Sequence, residues 1–88
     1  MNTTSSYVGP SVKRNAQAFL PIGSCVKVLP PIYAPHTYDE AGNKIEFRQG
    51  QVVEHLGMTP YCGIAIKFDG YANIVDYTNR ETANIEKL

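Results

Sequence analysis

The sequence predicts an all-β fold, a small barrel of five or six short strands with a long first loop and an irregular N-terminal arm. Three observations carry that expectation. Short runs of alternating apolar residues recur along residues 22–88, and each ends at Gly, Pro, Asn or Asp. No stretch keeps helical spacing for more than two turns. The chain has 88 residues, 43% of them hydrophobic and 18% charged, which is enough for one small core and short for a second domain. Closing a sheet on itself removes the edges that so small a domain would otherwise have to protect.

Residues 1–21 are rich in Thr, Ser, Asn and Gln, carry Pro10 and Pro21, and read as a flexible arm, so the domain is placed at 22–88. Residues 12–20 have the makings of a helical turn, too short to stand alone in water. Phe19 and Leu20 at its end are expected to touch the domain, and residues 1–18 to be mobile in an isolated monomer. The first strand covers residues 23–29, where Val26 and Val28 alternate with Cys25 and Lys27 before Pro30 and Pro31 stop the ladder. Residues 30–48 then make a long excursion. Gly42 and Asn43 lie between two extended, aromatic-bearing runs and mark a hairpin tip, since both residue types tolerate positive φ.

Residues 50–57 form the next strand, although Val52 and Val53 fall on opposite faces. Thr59-Pro60 is a turn. Residues 61–68 give the clearest strand, with Cys62, Ile64, Ile66 and Phe68 on one face. Asp69-Gly70 turns the chain into a return strand over residues 72–77. Residues 78–81 read as a short turn of 3₁₀ type, and residues 83–88 as the closing strand. The expected core is Val26, Val28, Val52, Ile64, Ile66, Phe68, Ile74 and Ile85.

Composition narrows the function. Eight Lys and Arg balance eight Asp and Glu, so there is no basic excess of the kind that drives generic nucleic-acid or membrane-surface binding, and no acidic excess either. No apolar run approaches the roughly 20 residues of a membrane helix, and the first residues lack an apolar stretch of signal-peptide length. The expectation is a cytoplasmic protein without membrane insertion. The two cysteines, Cys25 and Cys62, are few for a secreted scaffold, and their apparent strands turn them to opposed faces, which argues against a disulfide.

The residues offer little chemistry. His36, Asp39 and Glu40 are the one sequence-local group of metal-type ligands, but one nitrogen and two oxygens on a loop fall short of the four ligands, or three plus water, that zinc requires, even before asking whether His55 could join them. A nucleophilic thiol needs a base within reach, and neither cysteine has one nearby in sequence. No Gly-rich phosphate loop opens a helix. No catalytic residue, metal site or cofactor is therefore assigned, and the chain is expected not to be an enzyme.

The six tyrosines are more informative. Tyr33 and Tyr38, with His36 between them, lie in the long loop, and Tyr61, Tyr71 and Tyr77 at strand ends or turns. Tyrosine gives a binding surface a large contact area at small entropic cost. These six residues, Tyr33, His36, Tyr38, Tyr61, Tyr71 and Tyr77, are the candidate partner-binding set. Aromatics interleaved with Lys27, Arg48, Lys67 and Arg80 could also stack on single-stranded nucleic acid, a reading that the zero net charge weakens.

Gly23, Val26 and Val28, then Gly50 and Val52, then Ile64, Ile66 and Phe68 before a turn, and finally Ile85, follow the order of landmarks in SH3-like barrels. Over residues 22–88 the chain resembles the small extrinsic stromal-side subunits of photosystem I and the variable chains of ferredoxin–thioredoxin reductase. That resemblance implies a barrel in which the long first loop and neighbouring turns share one groove. It carries over no electron-carrier docking site, because the basic residues those subunits present are not evident here. The function expected is a non-catalytic protein-interaction module, an accessory or assembly subunit of a larger complex of photosynthetic or phage type. Its partner would be another protein or a multi-subunit complex, and the arm offers a route to oligomers. A weak single-stranded nucleic-acid-binding barrel is the competing reading.

Overall fold

A computed structural model describes residues 16–57 and 62–88. Along the chain run a short helix α1 (Ala16–Phe19) and seven strands: β1 (Cys25–Val28), β2 (His36–Tyr38), β3 (Lys44–Glu46), β4 (Gln49–His55), β5 (Ile64–Phe68), β6 (Ile74–Tyr77) and β7 (Ile85–Lys87), with a 3₁₀ turn (Glu81–Asn84) before the last. The chain is all-β. Five strands form one antiparallel sheet in the order β6-β5-β4-β1-β7, and β2 pairs only with β3 in a separate ribbon.

Alternation explains which side of the sheet is dry. Val26 and Val28 of β1, Val52 of β4, Ile64, Ile66 and Phe68 of β5, Tyr77 of β6 and Ile85 of β7 are buried together. The outward residues between them, Cys25, Lys27, Gln51 and Lys67, are exposed. In β4 the register shifts between Val52 and Glu54, so a bulge at Val53 absorbs one extra residue. Two consecutive valines are accommodated because the ladder, not the alternation, gives way.

Glycine is required where strands meet closely. A Cβ on Gly63 would stand 1.8 Å from the carbonyl oxygen of Tyr77, and one on Gly50 would stand 2.4 Å from that of Lys67. The 3₁₀ turn is secured by a reciprocal pair: the Thr78 N–H donates to Glu81 Oε1 at 2.8 Å, and the Glu81 N–H to Thr78 Oγ1 at 3.2 Å.

Several expectations are corrected. Ile74 is not core; it is 53% exposed. Pairing of Ile64 with Tyr77 and of Ile66 with Val75 turns the odd-numbered residues of β6 inward and leaves Ile74 beside outward Lys67. Cys62 does not begin the apolar face. It precedes β5 with φ at 42° and is half-buried. Both cysteines are free thiols, with Cys25 exposed.

The segment before β1 is packed on the sheet. Ala16, which opens α1, and Leu20, just past its end and one helical turn on, are fully buried in the core. The Ala16 N–H donates to Asn79 Oδ1 at 2.8 Å, Gln17 Nε2 donates to the carbonyls of Leu56 and Gly63, and His55 Nε2 donates to the Leu20 carbonyl at 2.9 Å. Ala16 and Leu20 thus pack with the sheet, while Phe19 and Pro21 between and after them are exposed. The rest of the expected arm, 1–15, lies outside the described residues, as does Tyr61. Among the described residues no helix is long and apolar enough to cross a membrane.

Candidate functional site

The long β1–β4 connection, residues 29–48, carries the exposed Tyr33 and Tyr38 and is tied to the core at several points. Leu29 closes β1 by donating its N–H to the Asn84 carbonyl at 2.7 Å. Asn84 Nδ2 donates to the Pro30 carbonyl at 3.2 Å. Ala34 and Pro35 are buried. Between these fixed points the Tyr77 hydroxyl, reaching out of the core, donates to the Tyr33 carbonyl at 2.7 Å. Past Pro35 the chain enters the β2–β3 ribbon, whose six residues are all exposed on both faces.

A tight turn closes the ribbon. The Gly42 N–H donates to the Asp39 carbonyl at 3.0 Å, with Gly42 at φ 87°, and the Asn43 N–H donates to Asp39 Oδ1 at 2.8 Å. The Asn43 backbone bond holds the Asp39 carboxyl below its usual range. Asp39 thus serves the turn through both carboxylate oxygens. Among the described residues no group of three His, Cys, Asp or Glu side chains converges.

The six sequence-nominated residues separate into different environments. Tyr33 and Tyr38 are 58% and 63% exposed, and His36 is exposed beside Tyr38, their rings edge-to-face with centroids 5.8 Å apart. Tyr71 is half-buried, its ring tilted over Phe47 at 6.0 Å. Tyr33 meets Tyr71 at the edge of this pair; desolvation, then the charge and hydrogen bonding of Tyr71, push the Tyr33 phenol above its ordinary value. Tyr77 is 2% exposed, edge-on to Phe68, and is a core residue unavailable to a partner. Burial, and after it the Glu81 carboxylate, raise its phenol well above the usual range, which keeps the hydroxyl a donor. Sequence alone did not separate Tyr77 from the surface tyrosines, because its place in the core depends on the β5–β6 register.

Where the ribbon returns to the sheet, an open groove of about 390 Å³ is lined by Lys27, Glu46, Phe47, Arg48, Gln49 and Asp69. Arg48 Nη2 pairs with Glu46 Oε2 at 3.0 Å, and Arg48 Nη1 is buried without a partner. Two cations and two anions line the groove, so it presents no net charge to a ligand. The groove brings Lys27 and Asp69, far apart in sequence, beside Glu46, Phe47 and Arg48 of the connection.

Removing the Tyr77 hydroxyl tests how the loop is held. Tyr77→Phe should lower stability by about 1–2 kcal/mol, the cost of a lost bond that leaves a carbonyl short of its partner. Hydrogen exchange should quicken in residues 29–48 more than in β4 and β5. Uniform quickening across the sheet would show that the hydroxyl supports the whole core and not this loop.

No protein-family model matches the chain, and neither the curated proteins nor the solved structures provide a match.

Proposed function

We propose that the chain is a non-catalytic protein-interaction module, an accessory or assembly subunit that offers its long β1–β4 connection to a protein partner. One observation carries the reading: Tyr33 and Tyr38 are 58% and 63% exposed on a segment tied to the core by the Tyr77 hydroxyl and the Asn84 amide. Held aromatics bind with less ordering cost than mobile ones. Tyr33, His36 and Tyr38 are the contact residues under this proposal, with Tyr71 supporting Tyr33 from below.

The test separates surface from core. Tyr33→Ala and Tyr38→Ala should each leave thermal melting nearly unchanged, within about 0.5 kcal/mol. Each should weaken binding of a partner enriched on the immobilised wild-type chain by about 1–2 kcal/mol or more. Early melting of both variants together with normal binding once folded would remove the proposal. A gel shift with single-stranded oligonucleotides across a salt series addresses the competing reading: steep loss of affinity with salt would replace the protein partner by nucleic acid.

A further inference from the structure

The β2–β3 ribbon has a chemistry of its own that the aromatic side chains do not exhaust. Its register pairs His36 with Glu46, Thr37 with Ile45 and Tyr38 with Lys44. The Asp39 N–H donates to the Asn43 carbonyl at 2.9 Å, and the Phe47 N–H to the Pro35 carbonyl at 2.9 Å. In an antiparallel pair hydrogen-bonded and non-hydrogen-bonded positions alternate. Pro35, Thr37 and Asp39 therefore turn their backbone groups toward β3. His36 and Tyr38 turn theirs away, onto the open edge of β2, where they have no backbone partner among the described residues.

That edge is short, three residues, but it has none of the charge usual at strand edges. Strand edges are blunted by charged residues, by proline or by covering elements. Among the described edge strands, β3 carries Lys44 and Glu46, β6 carries Asp76, and β7 carries Glu86 and Lys87. β2, with the sequence His-Thr-Tyr, carries no Lys, Arg, Asp or Glu. Pro35 does not guard it either, because the position of its missing N–H faces β3.

The edge is also complementary to itself. Two copies of β2 laid antiparallel about a two-fold axis through Thr37 set His36 opposite the second copy's Tyr38, and Tyr38 opposite the second copy's His36. Both are outward-facing positions, so each pair exchanges two N–H···O=C bonds. Thr37 then faces its own copy as a non-hydrogen-bonded pair, an arrangement in which cross-strand Thr–Thr contacts are favourable. On the other face the edge-to-face His36–Tyr38 contact of each chain adjoins that of its mate. We infer that the uncharged edge of β2 is a self-association site, joining two copies of this chain through a continuous four-stranded sheet in the order β3-β2-β2-β3. The inference stands apart from the partner-docking proposal. It concerns the backbone edge, and it needs no second protein.

Sedimentation velocity of the full chain over a wide concentration range should show a weight-average mass rising from one chain towards two. His36→Pro deletes one outward N–H and leaves the bonds to β3 intact. Thr37→Lys puts like charges directly opposite across the axis. Both should retain the wild-type melt and stay at the mass of one chain. A second measurement serves if either variant misfolds. In a Cys25→Ser background, Thr37→Cys should form a dimer linked between the two introduced thiols on mild oxidation. Facing Cα atoms at a non-hydrogen-bonded pair are about 4.5 Å apart, inside the range a disulfide spans. Ile45→Cys, on the far strand of the ribbon, should not cross-link. A mass of one chain at every concentration, self-association that survives both edge variants, or equal cross-linking from positions 37 and 45 would each overturn the inference. Loss of partner binding in Tyr33→Ala with self-association retained would leave it standing, so the two readings fail separately.

Discussion

Phe68→Ala is expected to leave the chain largely unfolded at room temperature. Among the described residues Phe68 is the largest fully buried side chain; it lies at the end of β5 and packs edge-on to Tyr77 with ring centroids 6.4 Å apart. Truncating a buried phenylalanine costs about 3–5 kcal/mol through lost transfer energy and the cavity left behind. A domain of this size has only about 5 kcal/mol to lose. The surroundings cannot close in cheaply, because Gly50 brings the β4 backbone against the Phe68 Cα. Loss of amide dispersion in the variant's spectrum checks this. A well-dispersed spectrum with a wild-type denaturation midpoint would put Phe68 outside the core.

Leu20→Ala should come second, at about 2–5 kcal/mol, the range for a buried leucine. Leu20 precedes every strand and, as its place at the end of the expected arm implied, meets the domain, where it is fully buried. Its backbone carbonyl receives His55 Nε2 at 2.9 Å, so the segment is tied to the end of β4 as well as packed under it. Ile22→Ala, only two residues on but 61% exposed, is the internal control and should change stability by less than about 0.5 kcal/mol. Chemical denaturation of the two variants side by side decides between a unit that includes residues 16–21 and one that starts at 22. Equal midpoints would favour the later boundary.

Strand positions were legible because period-two burial leaves a direct trace in sequence. Val26 and Val28 against Cys25 and Lys27, and Ile64, Ile66 and Phe68 against Lys67, alternate as the sheet buries them. Turns were legible for a related local reason. Gly42 and Gly70 have positive φ, at 87° and 78°, a conformation that L side chains rarely adopt. Residues 78–81 were legible as a short turn, and the structure adds the reciprocal Thr78–Glu81 bonds that hold it.

The candidate site was legible only as a segment. Tyr33, His36 and Tyr38 sit where a long aromatic loop was expected, but sequence gave no means to tell Tyr77 from them. A tyrosine at a strand end can face either way, and a one-residue change in register reverses it. The turn after β5 decides that parity, and it buries Tyr77 and exposes Ile74 together.

By itself, then, the sequence determined what depends on near neighbours: the all-β class, the strands, the glycine turns and the inward face of β5. Tertiary structure decided what depends on distant ones. Ala16 and Leu20 became core because the sheet presents apolar surface that α1 can cover. The Val52–Val53 conflict was resolved by a bulge because pairing with β5 on both sides of it outweighs one unpaired residue. Tyr33 is held because a hydroxyl from 44 residues away reaches its carbonyl. β2 is left with an open edge because it joins only β3, and no local pattern in His-Thr-Tyr records which strands will be missing from its side.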